Sequence, residues 1–242
     1  SLVTKVALLA WIRIIYWVLI GPIVIFDIPI LILVAVLGTL AAVIGAFLAL
    51  AQRNIKMMFA YGGISHIGII LIGIGQGNQT GFAGGVFYLL NDAVMQAALF
   101  FLAGVAFCQY GVKTIDDLAR IGKKSPWLTG SLVVMALGMI GLPPTGGFFG
   151  KWYIILGALE AGNYLSVAGV LLSTLLTLAY FVKLFEAIFR QSSTQLDDVQ
   201  PGEIPLAFKL TLGITSTVII ILGLFSAPIV QLLLDHAMPP GL

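Results

Sequence analysis

The chain alternates between long apolar runs and short polar connections. Seven runs approach the length of about 20 apolar residues that crosses a hydrocarbon core. They lie near residues 1–20, 30–50, 56–76, 82–107, 127–160, 165–189 and 208–234. None alternates with the period of two that is typical of a half-buried strand, and backbone hydrogen bonding within lipid favours helices. The pattern predicts an all-α membrane protein with about seven transmembrane helices.

The fifth run differs from the others because it is long and interrupted. A continuous helix over its 33 residues, Trp127–Leu159, would measure roughly 50 Å, whereas the hydrocarbon core is about 30 Å thick. The stretch GLPPTGGFFGKWYI contains helix-breaking prolines and permissive glycines near its middle. We predict one discontinuous helix over about 127–160. The residues that break it are Pro143, Pro144, Gly146 and Gly147.

Basic residues occur only in alternate connections. The connections after the second, fourth and sixth runs contain Lys or Arg, whereas GPIVIFDIP, GQGNQTG, EAGNY and the C-terminal DHAMPPGL contain neither. By the positive-inside rule, we expect the basic loops in the cytoplasm and the C-terminus outside. The first run begins apolar at Ser1 without a signal-peptide cleavage site, so we expect a helix that has lost an upstream part.

The composition agrees with a membrane protein and narrows its chemistry. Hydrophobic residues make up 60% of the chain and charged residues 9%, against about 25% charged in soluble domains. The net charge of +2 is scattered, so we expect no nucleic-acid partner. Cys108 is the single cysteine, and the only histidines are His66 and His236. We therefore expect no metal site, no cofactor and no catalytic centre within the chain.

Among the ionisable side chains of the predicted spans, four are candidates for chemistry within the membrane: Lys5, His66, Asp92 and Lys151. Such residues are rare in membrane helices and usually mark an ion or proton pathway. Histidine changes charge near neutral pH, and a lysine held away from water can exchange its proton when its neighbours change. The four residues therefore predict a proton relay.

Each relay residue also has a structural interpretation. Lys5 lies near mid-membrane only if its helix begins upstream of Ser1; otherwise it extends to the membrane edge. His66 could be a satisfied core histidine, and Asp92 could join a set of interhelical hydrogen bonds. Polar residues that support either interpretation are Asn91, Gln96 and Glu160. Glu160 lies near the outer edge, where it either ends an exit path or simply meets water.

Three stretches resemble one family of membrane proteins: TKVALLAWIRI, NIKMMFAYGGISHIG and GLPPTGGFFGKWYIILGALEAG. They are similar to the antiporter-like proton-translocating subunits of NADH:quinone oxidoreductase (complex I), of membrane-bound hydrogenases and of Mrp-type cation/proton antiporters. KWYIILGALEAG with LLSTLLTLAYFVKLFEA is most similar to the D-type Mrp subunit and its hydrogenase relatives. The resemblance covers essentially the whole chain and implies a bacterial or archaeal cell membrane.

The resemblance implies a domain organisation. Family members contain fourteen core helices built from two inverted five-helix repeats, each with one broken helix, and this chain resembles the last seven. Residues 1–20 would end the first repeat. Residues 21–190 would form the second repeat, with the break at 141–148. Residues 191–242 would supply a cytoplasmic loop and the C-terminal helix.

The resemblance also assigns roles and partners. Lys5 falls at the family's central lysine, and Lys151 falls at the lysine or glutamate of the broken helix. Asp92 and Gln96 stand where many members carry histidine and lysine, a departure that either interrupts the relay or gives its middle step to Asp92. Implied partners are other membrane subunits, including a chain that supplies the first half of the channel, together with lipids, protons and, as an alternative ion, sodium.

Two functions remain open from the sequence. The first is proton or cation/proton translocation within a redox-driven or Mrp-type complex. The second is a non-conducting membrane scaffold, a degenerate half of an antiporter, which the Asp92 and Gln96 departures favour. Loss of ion transport in a Lys151→Ala variant would separate the two.

Overall fold

The structure is a computed structural model that describes residues 2–18, 24–25, 28–120, 125–189 and 205–239. Its α-helices are α1 Leu2–Arg13, α2 Ile30–Ala51, α3 Ile55–Gly75, α4 Gln79–Tyr110, α5 Pro126–Ile140, α6 Gly146–Glu160, α7 Tyr164–Phe189, α8 Leu206–Leu224 and α9 Ser226–His236. A π-helical segment, Ile14–Val18, extends α1, and Ile115–Arg120 form a 3₁₀ helix. The only strands in these ranges are β1 Val24–Ile25 and β2 Ile28–Pro29, an antiparallel pair. The predicted all-α membrane architecture is confirmed.

Within the described ranges, five helices are long and apolar enough to cross a membrane: α2, α3, α4, α7 and α8. The 32 residues of α4 span about 48 Å, so this helix extends well past a hydrocarbon core of about 30 Å. With 15 residues each, α5 and α6 are about 22 Å long. Neither crosses alone, and together they form the discontinuous span that the sequence predicts.

Small residues bring α2 and α3 into close contact. A Cβ atom added to Gly68 would lie 2.3 Å from the backbone nitrogen of Ala42, and one added to Gly75 would lie 2.6 Å from that of Ala35. The Ser65 hydroxyl donates a 2.7 Å hydrogen bond to the carbonyl oxygen of Ala42. Small residues allow such backbone approach where lipid supplies no hydrophobic drive for association.

The two larger buried apolar clusters have a polar layer between them. The first contains Phe59 of α3 and Met95 of α4, and the second contains Ile69 of α3 and Leu89 of α4. His66 and Asp92 lie between these positions on their helices, and both are fully buried. The fold therefore places its buried ionisable groups at mid-depth, with apolar layers on both sides.

Backbone conformation defines the break between α5 and α6. Gly141 ends α5 in the left-handed region with φ 82°, which a glycine adopts without steric penalty. The amides of Gly141 and Leu142 both donate to the carbonyl oxygen of Leu137, each at 2.9 Å. Pro143 and Pro144 fill the turn, and α6 restarts at Gly146. The prolines and glycines thus break the span where the sequence predicts.

The last predicted span, 208–234, is divided in the structure. α8 ends at Leu224 and α9 begins at Ser226, with Phe225 between them. Pro228 explains the division, because its ring would clash with the carbonyl of Leu224 in a continuous helix and it has no amide to donate. The expectation of one continuous C-terminal helix is therefore wrong in this detail.

The basic connections are partly outside the described residues. That part of the chain contains Lys123, Lys124, Arg190 and the acidic segment 191–204. The cytoplasmic loop predicted at the start of 191–242 therefore lies mostly outside the described residues. The described basic residues Arg53, Lys56 and Lys113 lie at one end of the helix bundle, where the chain enters α3 and leaves α4.

Candidate functional site

Asp92 lies at the centre of the buried polar layer. Its Oδ2 lies 2.9 Å from the Lys5 ammonium, and its Oδ1 lies 2.9 Å from Nδ1 of His66. Asp92 and His66 are fully buried, and Lys5 is 4% exposed. Three helices, α1, α3 and α4, thus each contribute one ionisable side chain to a single cluster. These are three of the four residues that the sequence predicts for the relay.

Glycines on α3 make room for the neighbouring helices on the side of α3 toward its N-terminus. A Cβ atom on Gly63 would lie 3.1 Å from the Gln96 amide nitrogen, and one on Gly62 would lie 3.0 Å from the Tyr180 hydroxyl oxygen. His66 follows one turn later on the same helix. α3 can therefore approach polar side chains of α4 and α7 closely as well as carry the imidazole.

Tyr88 joins the cluster, and our sequence analysis did not select it. Its hydroxyl oxygen lies 3.1 Å from His66 Nδ1, the atom that also meets Asp92. An ionised carboxylate only accepts hydrogen bonds, so Nδ1 carries a proton when it bonds to Asp92. The signal for Tyr88 was its spacing, four residues before Asp92 on one helix, which puts both side chains on the same face.

The second ring nitrogen of His66, Nε2, makes no hydrogen bond to the described residues. Neither polar atom of the Gln96 amide has a hydrogen-bond partner among them. Both residues are buried, and buried polar groups generally have partners in proteins or ordered water. These atoms provide donors and acceptors beside the cluster that the protein itself does not use.

Lys151 meets the main chain of the helix break. Its ammonium donates to the carbonyl oxygens of Met139 and Ile140, at 2.9 and 3.1 Å. These carbonyls end α5, where no following helical turn supplies amides, and the helix dipole there favours a positive charge. Lys151 is 5% exposed. The break therefore gives the buried charge carbonyl ligands at the depth where the sequence predicts a site.

Lys151 is also adjacent to the cluster around Asp92. Its Nζ lies 5.9 Å from the centre of the Tyr88 ring, and it interacts electrostatically with Asp92. Gly150 permits this approach, because a Cβ atom there would lie 2.7 Å from Cδ2 of Tyr88. All four predicted relay residues thus belong to one buried region, linked through Asp92 and Tyr88.

Gly147 holds the two half-helices together. A Cβ atom on this residue would lie 1.9 Å from the carbonyl oxygen of Gly138 in α5. Asn91 of α4 lies against Gly146, with its Oδ1 2.7 Å from an added Cβ atom there. The predicted supporting residue Asn91 therefore packs at the break, and the glycines are required by contact as well as by backbone freedom.

Glu160 lies apart from the cluster. It ends α6, nine residues and about 13 Å after Lys151, and it is exposed. Its Oε1 accepts a 3.0 Å hydrogen bond from Thr80. Its role as the end of an exit path stays a prediction.

The described residues contain no group of three or more His, Cys, Asp and Glu side chains that could hold a metal ion. The cluster and the adjacent Lys151 instead combine two lysines, one histidine and one carboxylate. Such a set can hold and pass protons, because each side chain can bind a proton at a nitrogen or oxygen atom and release it to a neighbouring acceptor.

Comparison with known proteins identifies the family. Residues 1–177 match the family described as NADH:quinone oxidoreductase/Mrp antiporter, transmembrane. The chain belongs to this family. The resemblance inferred from the sequence motifs is thereby confirmed, as is an integral membrane protein of this class.

Relatives within the NADH:quinone oxidoreductase/Mrp antiporter family come from both branches. The chain is 35% identical to NADH-quinone oxidoreductase subunit N of Desulforudis audaxviator, covering 99% of this chain and 50% of that protein. It is 33% identical to a putative antiporter subunit mnhD2 of Staphylococcus saprophyticus, covering 85% and 41%. The chain thus spans half or less of the length of these relatives. Because the two identities are similar, they do not decide between the oxidoreductase branch and the antiporter branch.

A solved structure supports the fold. A chain in the membrane-bound sulfane sulfur reductase, an archaeal respiratory membrane complex, superposes with a TM-score of 0.79 and 26% identity. The match covers 95% of this chain and 45% of that chain. The arrangement of helices therefore belongs to the antiporter-like membrane fold.

Proposed function

We propose that this chain translocates protons across the membrane through the buried cluster of Lys5, Asp92 and His66 and through Lys151. The observation that carries the proposal is the position of Asp92, in contact with Lys5 and His66 at 2.9 Å and near enough to Lys151 for their charges to interact. One carboxylate thus faces two lysines from different helices.

The charge balance of the cluster supports proton movement. If both lysines are protonated, a single carboxylate and the carbonyl dipoles of α5 face two positive charges away from water. An uncompensated charge at this depth is costly. A proton arriving at or leaving one lysine therefore changes the electrostatic energy of the other. Alternating occupancy of Lys5 and Lys151 is the expected consequence, with His66 and Tyr88 beside Asp92 as intermediate carriers.

We propose the direction and domain arrangement from the sequence pattern. The chain would correspond to the end of a first repeat at 1–20, a second five-helix repeat at 21–190, and a C-terminal loop and helix at 191–242. The basic loops would face the cytoplasm and the C-terminus the outside. Protons would then pass from the Lys5 region to Lys151 and outward toward Glu160.

We propose that other membrane subunits complete the system. The family relatives are named as subunits of NADH-quinone oxidoreductase and of an antiporter, and this chain covers half or less of their length. A further chain would supply the first half of the channel, and a partner would drive transport. Recovery of iron–sulfur subunits with the chain would support a redox-driven complex. Recovery of small membrane subunits alone would support an Mrp-type antiporter, with sodium as the exchanged ion.

A charge-neutralising variant tests the proposal. We expect Asp92→Asn to lower proton transport by the assembled complex at least tenfold in proteoliposomes, measured with a pH-sensitive dye. Asp116→Asn is the matched control, because Asp116 lies exposed on the 3₁₀ helix, and it should transport normally. Transport at the wild-type rate by an intact Asp92→Asn complex would instead support the scaffold function, which the contacts of Asp92 do not favour.

A further inference from the structure

Two basic connections are joined at one end of the helix bundle. The amide of Ile55 donates to the carbonyl oxygen of Lys113 at 3.1 Å, and the amide of Ile115 donates to that of Arg53 at 2.9 Å. These bonds pair the segment entering α3 with the segment leaving α4. They bring together basic residues that are about 60 positions apart in the sequence.

The aromatic ring of Phe107 lies close to two of these basic side chains. The Lys56 ammonium lies 4.6 Å from the ring centre, and the Lys113 ammonium lies 5.6 Å from it. Both lysines are exposed, and Phe107 is 39% exposed. Cation–π contact stabilises each ammonium, but two like charges over one ring also repel. An anion placed between them would remove that repulsion.

Backbone features add to the positive field. Asn54 caps α3 by accepting from the amides of Lys56 and Met57 at 3.0 and 3.2 Å, so the positive end of the α3 dipole points to this place. The carboxylate of Asp117 accepts from the amides of Lys113 and Thr114 at 3.1 and 2.9 Å; it fixes the neighbouring turn and does not add to the positive field.

An apolar cavity opens beneath the lysines. Its volume is about 190 Å³, and its walls include Phe59, Leu102, Leu132 and Leu184, together with Ala106. All five wall residues are less than 5% exposed. Apolar cavities of about 150 Å³ remain dry and accept molecules of the size of benzene. Its apolar part therefore suits a short length of hydrocarbon, and Asn54, Lys56 and Lys113 also line it.

We propose that this pocket binds an anionic membrane phospholipid. The phosphate would lie between Lys56 and Lys113, and the first part of an acyl chain would enter the cavity. The position fits, because α2 ends and α3 begins here, at the level where membrane helices reach the headgroup layer. A zwitterionic lipid would gain less from the lysines, and a free phosphate would leave the cavity empty. This proposal does not depend on proton transport.

Lipid binding to the purified protein tests the site. We would titrate the protein in detergent with dioleoyl phosphatidylglycerol or dioleoyl phosphatidylcholine and count bound lipids by native mass spectrometry. We expect the anionic lipid to bind more tightly. Lys56→Gln combined with Lys113→Gln should weaken its binding about 25-fold, since each lysine near an anionic headgroup contributes about a fivefold effect. Ala106→Leu, which fills the cavity, should weaken binding as well.

The controls separate the lipid site from general charge effects. Lys209→Gln removes another exposed lysine and should leave phosphatidylglycerol binding unchanged. Glycerol 3-phosphate, which has the headgroup phosphate but no acyl chains, should not displace the lipid. Equal weakening by Lys209→Gln, unaltered binding by the double variant, or displacement by glycerol 3-phosphate at concentrations similar to those of the lipid would overturn the proposal.

Discussion

Lys151 and Lys183 make the same kind of contact in different surroundings. Lys183 of α7 donates to the carbonyl oxygens of Leu50 and Gln52 at the end of α2, at 3.1 and 3.3 Å. Lys151 donates to two carbonyls at the end of α5. Both ammonium groups therefore satisfy carbonyls that a helix end leaves free. Capping a helix, taken alone, does not distinguish a proton site from a structural lysine.

The difference lies in depth and neighbours. Lys183 is half-buried near the end of the bundle with the basic connections, whereas Lys151 is buried within the membrane-spanning region. Lys151 alone of the two faces the Tyr88 ring and interacts with Asp92. A change of charge at Asp92 therefore changes the electrostatic energy of a proton on Lys151. The proposed function therefore rests on coupling between buried charges, for which the helix break supplies the position.

The largest effect should come from Gly147→Ala. Its Cβ would lie 1.9 Å from the Gly138 carbonyl oxygen, so α5 and α6 could not keep their contact, because no change of side-chain rotamer relieves a clash with a main-chain atom. We expect loss of both folding stability and transport. Gly104→Ala is the control, since no atom lies within 4 Å of its added Cβ. Similar unfolding curves in detergent for the two variants would contradict the role of the break.

Next in size is the pair of Lys5 and Asp92. Removing one partner of a buried ion pair leaves the other charge uncompensated and costs about 3–5 kcal/mol. Lys5→Met and Asp92→Leu should each destabilise by this amount, as measured by chemical unfolding in detergent. The double variant should regain most of the stability without regaining transport. Additive losses in the double variant would show that the two groups do not depend on each other.

A smaller effect should follow removal of each capping lysine. Lys151→Met and Lys183→Met should both leave carbonyls without their donor, at a cost of about 1–3 kcal/mol. Similar losses in the free energy of unfolding would confirm that the two lysines share the capping role. A loss confined to one variant would show that their contacts are not equivalent.

Tyr88→Phe should have the smallest effect. It removes the hydroxyl beside His66 Nδ1 and keeps the ring that Lys151 and Gly150 contact. We expect a loss of about 0.5–1.5 kcal/mol in stability and a transport rate reduced severalfold. An unchanged rate would remove Tyr88 from the set of intermediate carriers.

Much of this arrangement could be predicted from the sequence. The apolar runs predicted the helices, and length with prolines and glycines predicted the break after Ile140. The rarity of charge in lipid selected Lys5, His66, Asp92 and Lys151, which the structure brings into one buried region. These signals are strong because lipid leaves few alternatives for a backbone or a charge.

The partners of the charges were harder to predict. Lys151 donates to the carbonyl oxygens of Met139 and Ile140. Every residue has a backbone carbonyl, so the amino-acid sequence does not show which ones accept a hydrogen bond. Tyr88 was missed because a tyrosine in an apolar helix reads first as a packing residue. The division at Phe225 was missed because the apolar run continues through Pro228. That proline stands in the first turn of α9, where proline is tolerated, and so begins a new helix.

Proton transport by Lys151→Met and Lys183→Met tests the account most directly. Both variants would be measured in the same assembled complex in proteoliposomes, with subunit content checked by gel. The account predicts that Lys151→Met loses transport at least tenfold while Lys183→Met keeps at least half of the wild-type rate. Equal transport by the two variants, with both complexes intact, would show that Lys151 only caps a helix and would contradict the relay.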